Sequence, residues 1–235
     1  MKMTALRIMP TMKILVLVAG TNDPSNANVL ADTFIEGMRQ VPSLEMTKIH
    51  VKDLMLEHFS LKHYAPDVPE EDDFRRLREA FRDLNGLVVA SPVWNFSIPA
   101  HLKNLIDRMG AFGLQEHHTQ PAFRGLPFFL IFTGGAPAPA WTALLKKTTS
   151  SVAEALEYFG ATHCGTHFEP KCTKGRGVFG LVVHERPESL RKVRSEGERF
   201  ARLASEYART GKLPLRRSMK HHASRVMRYI AERLF

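Results

Sequence analysis

The chain has 235 residues, of which 44% are hydrophobic, so it can bury one substantial core, and it lacks the run of about 18 apolar residues that predicts a membrane span. The formal net charge is +9, but seven Lys or Arg stand against the single acid Glu232 from Lys212 onward, and this segment contributes +6 of the total. Because the rest of the chain is nearly balanced, its charge predicts no specific nucleic-acid partner, and only the C-terminal segment is expected to make weak contacts with anionic surfaces.

The cysteine content and the first residues indicate a compartment. Two cysteines in a chain of this length, Cys164 and Cys172, are typical of free buried thiols rather than of a disulfide framework. The first residues contain no long apolar segment, so a secretory signal is not predicted. We therefore expect a cytoplasmic protein.

Strands and helices alternate along the chain. Residues 14–18 form a continuous apolar run, as expected for a strand buried on both faces, and after a polar loop Leu30, Phe34 and Met38 recur at helical spacing, with Ser25 or Asn26 as the N-cap. The same unit repeats, with further strands predicted near 44–51, 87–90, 128–132 and 162–168, and further helices near 74–84, 99–109, 141–159 and 187–209. This alternation predicts an α/β fold with a doubly wound five-stranded parallel sheet, helices on both faces, and one domain spanning 12–211.

Two segments fall outside this alternation. Residues 169–186 contain several glycines and begin with basic residues, which indicates either a short extra hairpin or an excursion over a neighbouring subunit. Residues 212–235 are basic and carry apolar residues at helical spacing, so they are predicted to form a helical extension beyond the domain. Such an extension is suited either to binding an anionic surface or to packing on a second subunit, with the two subunits exchanging their extensions.

Three polar or glycine-containing loops follow the first, third and fourth predicted strands. In an open parallel sheet the ligand site lies outside the carboxyl ends of the strands, so these loops are expected to meet. The first loop, residues 20–28, offers hydroxyls, amides and backbone N–H groups at a helix N-terminus, and it contains no Lys or Arg. Such an end can hold a phosphate, although an ordinary capped loop would have the same composition.

The other two loops suggest contacts for a flat ring. The second, residues 91–99, places Trp94 and Phe96 beside the amide of Asn95, directly after a strand. The two aromatic side chains either form the apolar surface under a conjugated ring or are buried in the hydrophobic core. The third, residues 133–136, contains Gly134 and Gly135, which let backbone come close to a ligand or simply form a turn.

The stretch SPVWNFSIPAHLKNLIDRMG carries a family resemblance, together with Ser25-Asn26 in the first loop and FTGG after the fourth strand. An aromatic residue followed by Asn, then Ile-Pro, Leu-Lys and Ile-Asp in this spacing resembles the flavodoxin-like group of NAD(P)H-dependent FMN reductases, quinone reductases and azoreductases. The resemblance extends over about residues 13–168.

The resemblance implies a flavodoxin-like domain that binds FMN at three sets of residues. It implies that the phosphate is held by Thr21, Ser25, Asn26 and Ala27, that the ring is lined by Pro92, Val93, Trp94, Asn95 and Phe96, and that the polar edge of the ring is bracketed by Thr133, Gly134, Gly135 and Ala136.

The implied activity is transfer of electrons from NAD(P)H through FMN to a small-molecule acceptor, such as a quinone, an azo or nitro aromatic compound, or free flavin, in ping-pong order. No side chain is assigned as a catalytic residue, because the cofactor performs the chemistry. The resemblance also implies a homodimer or homotetramer. The alternative is a flavodoxin-type electron carrier, which holds FMN without NAD(P)H turnover.

Two further motifs do not predict a binding site. Residues 175–180 fit the dinucleotide fingerprint GxGxxG, but no apolar strand precedes them and no predicted helix follows. His163, Cys164, His167 and Cys172 lack a paired CxxC, so no metal site is predicted.

Overall fold

The computed structural model describes residues 11–65, 68–113, 122–175 and 178–214, apart from the side chains of residues 144, 145 and 148. The predicted extension 212–235 lies outside the described residues beyond residue 214, so its helical form stays a prediction.

Five strands form one sheet in which every neighbouring pair is parallel. They are β1 (Met12–Val18), β2 (Leu44–His50), β3 (Gly86–Pro92), β4 (Pro127–Thr133) and β5 (Thr162–Glu169). Their order is β2-β1-β3-β4-β5, with pairing such as Val16 beside Val88 and Val89 beside Leu130. This is the flavodoxin-like strand order, and the fold class predicted from the sequence is confirmed.

Helices connect these strands. They are α1 (Asn26–Met38), α2 (Asp72–Arg82), α3 (Ala100–Met109), α4 (Ala138–Ala140), α5 (Lys146–Tyr158) and α6 (Pro187–Thr210). A π-helical turn, Trp141–Leu145, joins α4 to α5, so the long helix expected near 141–159 contains a local widening. Short 3₁₀ turns lie at Val51–Asp53, Leu61–Tyr64, Gly110–Gly113 and Val183–Glu185.

The sheet has a buried hydrophobic layer on each face, because alternate residues of a strand point to opposite sides. Leu15 and Leu17 point towards α2, α3 and α5, whereas Ile14 and Val16 point towards α1 and α6. All four side chains are at most 1% exposed. The continuous apolar run of β1 is therefore explained by burial on both sides.

Helices α1 and α6 cross with their backbones almost in contact. A Cβ placed on Gly37 of α1 would collide with the carbonyl oxygen of Arg194, and one on Gly197 of α6 would collide with that of Phe34. Glycine at these two positions therefore allows the close approach.

Among the described helices, none combines the length and the apolarity needed to cross a bilayer.

Candidate functional site

The loops that follow β1, β3 and β4 line one shared hollow at the carboxyl ends of the strands. Ten of the thirteen residues singled out from the sequence line it: Thr21, Ser25, Asn26, Ala27, Pro92, Val93, Trp94, Thr133, Gly134 and Gly135. The other three, Asn95, Phe96 and Ala136, belong to the same loops but lie outside the lining. The three loops therefore meet, as the sequence predicts.

The first loop presents the N-terminus of α1 to the hollow. Ser25 is the N-cap, and its Oγ accepts a hydrogen bond from the backbone N–H of Asn28 at 3.4 Å. In the described part of the chain, the N–H groups of Asn26 and Ala27 have no hydrogen-bond partner. Two unpaired donors at the positive end of a helix form a site suited to an anion.

The side-chain amide of Asn26 forms hydrogen bonds within the protein. Its Nδ2 donates to the carbonyl oxygen of Gly180 at 2.8 Å, and its Oδ1 accepts from the N–H groups of Val182 and Val183 at 2.9 and 3.2 Å. The amide therefore attaches residues 180–183 to the start of α1. The backbone N–H of Asn26 and the second hydrogen of its Nδ2 are left for a ligand.

The second loop forms a tight turn that carries its aromatic residues outward. Trp94 and Ser97 exchange backbone hydrogen bonds of 2.8 and 2.9 Å, and the two residues between them, Asn95 and Phe96, have φ of 47° and 66°. Two successive left-handed residues are typical of a type I′ turn, which is unfavourable for a bulky Phe. The turn leaves Trp94 36% and Phe96 69% exposed.

The third loop needs its glycines because other segments pack directly against it. A Cβ on Gly134 would lie 3.1 Å from the ring of Phe168, and one on Gly135 would lie 3.2 Å from the Cγ2 of Thr173. The N–H of Gly134 is used by the carbonyl oxygen of Glu169 at 3.1 Å. The N–H groups of Gly135 and Ala136 have no partner among the described residues and are therefore the donors available to a ligand edge.

A fourth wall, which the sequence analysis did not assign to the site, comes from residues 172–180. Cys172, Thr173, Phe179 and Gly180 line the hollow, as do Gly20 and Asn22 of the first loop. A hydrogen bond from the N–H of Lys174 to the carbonyl oxygen of Val178 closes a hairpin here. An antiparallel bridge joins Gly175 and Val178, as the hairpin alternative predicts, and residues 176 and 177 of the GxGxxG run lie outside the described residues. Its glycines were the only local signal that could have pointed to the site.

A buried ionic network fixes the base of this hairpin wall. His167 lies between two carboxylates, with Nδ1 2.9 Å from Glu196 and Nε2 3.3 Å from Glu169, and Glu169 is also 2.7 Å from Arg186. Burial lowers the pKa of His167, but the two carboxylates outweigh it and raise the pKa above its usual value. Burial also raises the pKa of the Cys172 thiol to about 12, so this thiol stays protonated at neutral pH.

The histidines and cysteines that could suggest a metal site are engaged elsewhere. The buried thiols of Cys164 and Cys172 donate to the carbonyl oxygens of Thr162 and Glu169, and His167 is held by its carboxylates. Within the described ranges, one group of potential ligands, Glu57, His63 and Glu71, lies within 4.8 Å. Both of its carboxylates are already paired with cations, Glu57 with Lys62 and Glu71 with Arg108, and the hydrogen bond from Arg108 lowers the pKa of Glu71 to about 2.

The amino-acid sequence of this chain is similar to those of known proteins. A family model described as NADPH-dependent FMN reductase matches residues 12–155. An FMN-dependent NADH:quinone oxidoreductase of Vibrio parahaemolyticus serotype O3:K6 (strain RIMD 2210633) is 28% identical over 117 residues. The chain spans 57% of the length of this curated relative, and the alignment covers 44% of the chain.

Solved structures share the fold. An NAD(P)H:quinone oxidoreductase from Methanothermobacter marburgensis superimposes with a TM-score of 0.64 at 16% identity, covering 80% of this chain and 96% of that one. An FMN-dependent NADH-azoreductase from Bacillus anthracis str. Ames Ancestor, solved in complex with FMN, has a TM-score of 0.58 at 17% identity, covering 82% and 99%.

Proposed function

Because this chain belongs to the NADPH-dependent FMN reductase family, we propose that it is an FMN-dependent oxidoreductase that takes electrons from NAD(P)H and passes them to a small aromatic acceptor. One observation carries the proposal: the loops after β1, β3 and β4 line a single hollow at the carboxyl ends of the strands. That edge is where open α/β sheets bind their ligands.

The described residues fit the phosphate of FMN. The unpaired N–H groups of Asn26 and Ala27 point out of the N-terminus of α1, where an anion is stabilised by both hydrogen bonds and the helix dipole. Ser25 is buried, and its hydroxyl caps the same turn, so the donors are held in place.

The opposite end of the hollow fits a flat conjugated ring. The turn between Trp94 and Ser97 holds the Trp94 side chain at the edge of the hollow, where it supplies an apolar surface. The free N–H groups of Gly135 and Ala136 are available to the polar edge of the ring. Donors at this edge favour the additional electron density of a reduced ring.

When bound, FMN supplies the exchange of two electrons with a reduced nicotinamide and with an acceptor. The protein binds and orients the reactants, and no side chain is needed as nucleophile or general base. Cys172 lines the hollow as a protonated thiol and is not a nucleophile. We expect nicotinamide and acceptor to use the exposed side next to Trp94 and Phe179 in turn, which gives ping-pong kinetics.

The exposed aromatic side chains favour planar acceptors. Phe179 is 70% and Trp94 36% exposed at the hollow, and flat molecules gain contact area by stacking on such rings. Quinones, azo or nitro aromatic compounds, and free flavin all have this shape. We further propose a homodimer or homotetramer in which a second subunit covers part of these rings. We also propose a cytoplasmic location, in keeping with two cysteines that form no disulfide.

The rival function is a flavodoxin-type carrier that holds FMN without turning over NAD(P)H. Purified protein should be titrated with FMN and then mixed anaerobically with NADPH or NADH, followed by a quinone. We expect uptake of FMN, bleaching of its visible band by the nicotinamide, recovery of the band with quinone, and parallel lines in double-reciprocal initial-rate plots. Uptake without bleaching would establish the carrier, and absence of uptake would overturn both functions.

A further inference from the structure

The first loop leaves the charge of a bound phosphate incompletely balanced. Residues 20–28 contain Asp23 and no Lys or Arg, and a helix N-terminus supplies only about half of one positive charge. Building on the proposed FMN binding, we propose that Lys174 supplies the missing cation and so recognises the phosphate of the flavin. The residue lies 154 positions from Gly20, at an exposed position between Thr173 and Phe179, which line the hollow.

The side chain of Lys174 lies along the backbone next to the N-terminus of α1. A Cβ placed on Gly180 would be 2.8 Å from the Cε of Lys174, 3.0 Å from its Cδ and 3.3 Å from its Cγ. The methylene chain therefore runs across Gly180, which has no side chain in its way. The carbonyl oxygen of Gly180 in turn accepts the 2.8 Å hydrogen bond from Asn26, the first residue of α1. The position of the lysine methylenes beside Gly180 and the hydrogen bond from Asn26 to Gly180 thus place Lys174 next to the start of α1.

The backbone of Lys174 is fixed from both ends of the hairpin. Its N–H donates to the carbonyl oxygen of Val178 at 2.9 Å, and two residues earlier the N–H of Cys172 donates to that of Gly134 at 2.9 Å. At the far end, Asn26 holds residues 180–183. The hairpin is thus attached to both the first and the third loop, and Lys174 sits between these attachments.

The charge of Lys174 is available to a ligand. Lys174 takes part in no ion pair with any described residue, whereas the nearby Arg186 is bound to Glu169. Glu169 itself is occupied by His167, Arg186 and Ser189. A cation that is free of acidic partners and supported on the wall of an anion site strengthens the binding of a dianion.

The test compares FMN with riboflavin, which lacks the phosphate. Wild type, Lys174→Met and Lys174→Arg are titrated with both flavins, and Lys171→Met serves as the matched control because it removes the same charge from an exposed position on the same segment. We expect Lys174→Met to weaken FMN binding about tenfold, the size of one charge-assisted contact, and to leave riboflavin binding unchanged. Lys174→Arg and Lys171→Met should both bind FMN like wild type.

The salt dependence of FMN binding provides a second measurement. Increasing KCl should weaken FMN binding to the wild type more steeply than to Lys174→Met, because the variant has lost one screened charge pair. Equal FMN affinity in wild type and Lys174→Met, or an equal loss for FMN and riboflavin, would overturn the role of Lys174 while leaving the proposed function intact. Failure of the wild type to bind either flavin would instead overturn the proposed function, and the phosphate role with it.

Discussion

Asn26 divides its tasks between backbone and side chain. The backbone N–H lies at the anion end of α1, while the side-chain amide makes three hydrogen bonds to residues 180–183. A local reading of the first loop assigns such a polar residue to the ligand, because the partner segment lies more than 150 residues away. The position of the residue was therefore predictable, but the use of its amide was not.

Replacing Asn26 by Ala should loosen the hairpin wall. The variant leaves the N–H groups of Val182 and Val183 and the carbonyl oxygen of Gly180 without their partner, at a cost of about 1–3 kcal/mol. We expect faster amide hydrogen exchange at residues 180–183 and weaker binding of both FMN and riboflavin. Asn22→Ala, in the same loop, is the control for the exchange measurement only, because Asn22 also lines the hollow. Unchanged exchange at residues 180–183 would contradict the role of Asn26.

His167 makes stability depend on pH near neutrality. Its pKa is raised in the folded protein by Glu169 and Glu196, so its contribution is fully present below about pH 6.5, the unfolded value, and is lost as the pH rises through the folded pKa. Burial raises the pKa of Glu169, but hydrogen bonds from His167, Arg186 and Ser189 outweigh burial and lower this pKa. Glu169 therefore keeps its charge in this range, and Cys172 stays protonated.

We expect the Tm of the protein to decrease between pH 6 and pH 9. Over this range the Tm of the wild type should fall by about 2–4 °C more than that of His167→Gln, which has no imidazole to titrate. His184→Gln, at a surface histidine, should follow the wild type. Equal slopes in wild type and His167→Gln would show that the carboxylates do not stabilise the charged imidazole.

At the scale of elements, β1 to β5 and α1, α2, α3 and α6 were predictable because each buries an apolar stripe or run that recurs in the sequence. The hairpin at residues 172–180 has no such pattern: Thr173, Lys174 and Gly175 are polar or small, and the segment is held by backbone and side-chain hydrogen bonds to distant loops. Periodicity reports burial, so it does not detect a wall that is held by polar contacts.

The crossing of α1 and α6 gives a prediction about stability. Gly→Ala in a helix interior usually stabilises by up to about 1 kcal/mol, but a Cβ on Gly37 would collide with the carbonyl oxygen of Arg194. Gly37→Ala should therefore destabilise the protein by about 1–3 kcal/mol, or roughly 3–10 °C in Tm.

Gly37→Ala needs two controls, an alanine substitution elsewhere in a helix and a measurement of flavin affinity. Ser195→Ala, at an exposed position of α6, should change the free energy of unfolding by less than about 0.5 kcal/mol. Flavin affinity of the folded variant should match wild type, since Gly37 lies in the last turn of α1 and the hollow lies at the first. A Tm equal to or above that of wild type would show that the two helices can separate without cost.

At the scale of the whole molecule, charge and predicted catalysis belong to different parts of the chain. Residues 215–235 carry six Lys or Arg and the acid Glu232, so removing them lowers the formal net charge from +9 to +4. Leu213 packs against the hydrophobic layer under α1 and α6 and should be retained.

A chain ending at Pro214 should therefore keep flavin binding and lose retention on anionic vesicles. Sedimentation with phosphatidylserine-containing vesicles, and with phosphatidylcholine vesicles as control, measures the retention, and light scattering measures the mass of the assembly. Undiminished retention would place the anionic contact on the body instead, and a smaller assembly would indicate that the segment joins subunits.

The hydrogen bonds between Asn26 and residues 180–183 also determine when during protein synthesis the site can be completed. The part of the chain that matches the family model ends at residue 155, before the hairpin wall and before α6 has been made. A nascent chain of that length has the first three loops but lacks Gly180, Val182 and Val183, to which Asn26 must attach. Tight capture of the flavin is therefore expected only after most of the polypeptide has left the ribosome, so that loading follows translation rather than accompanying it.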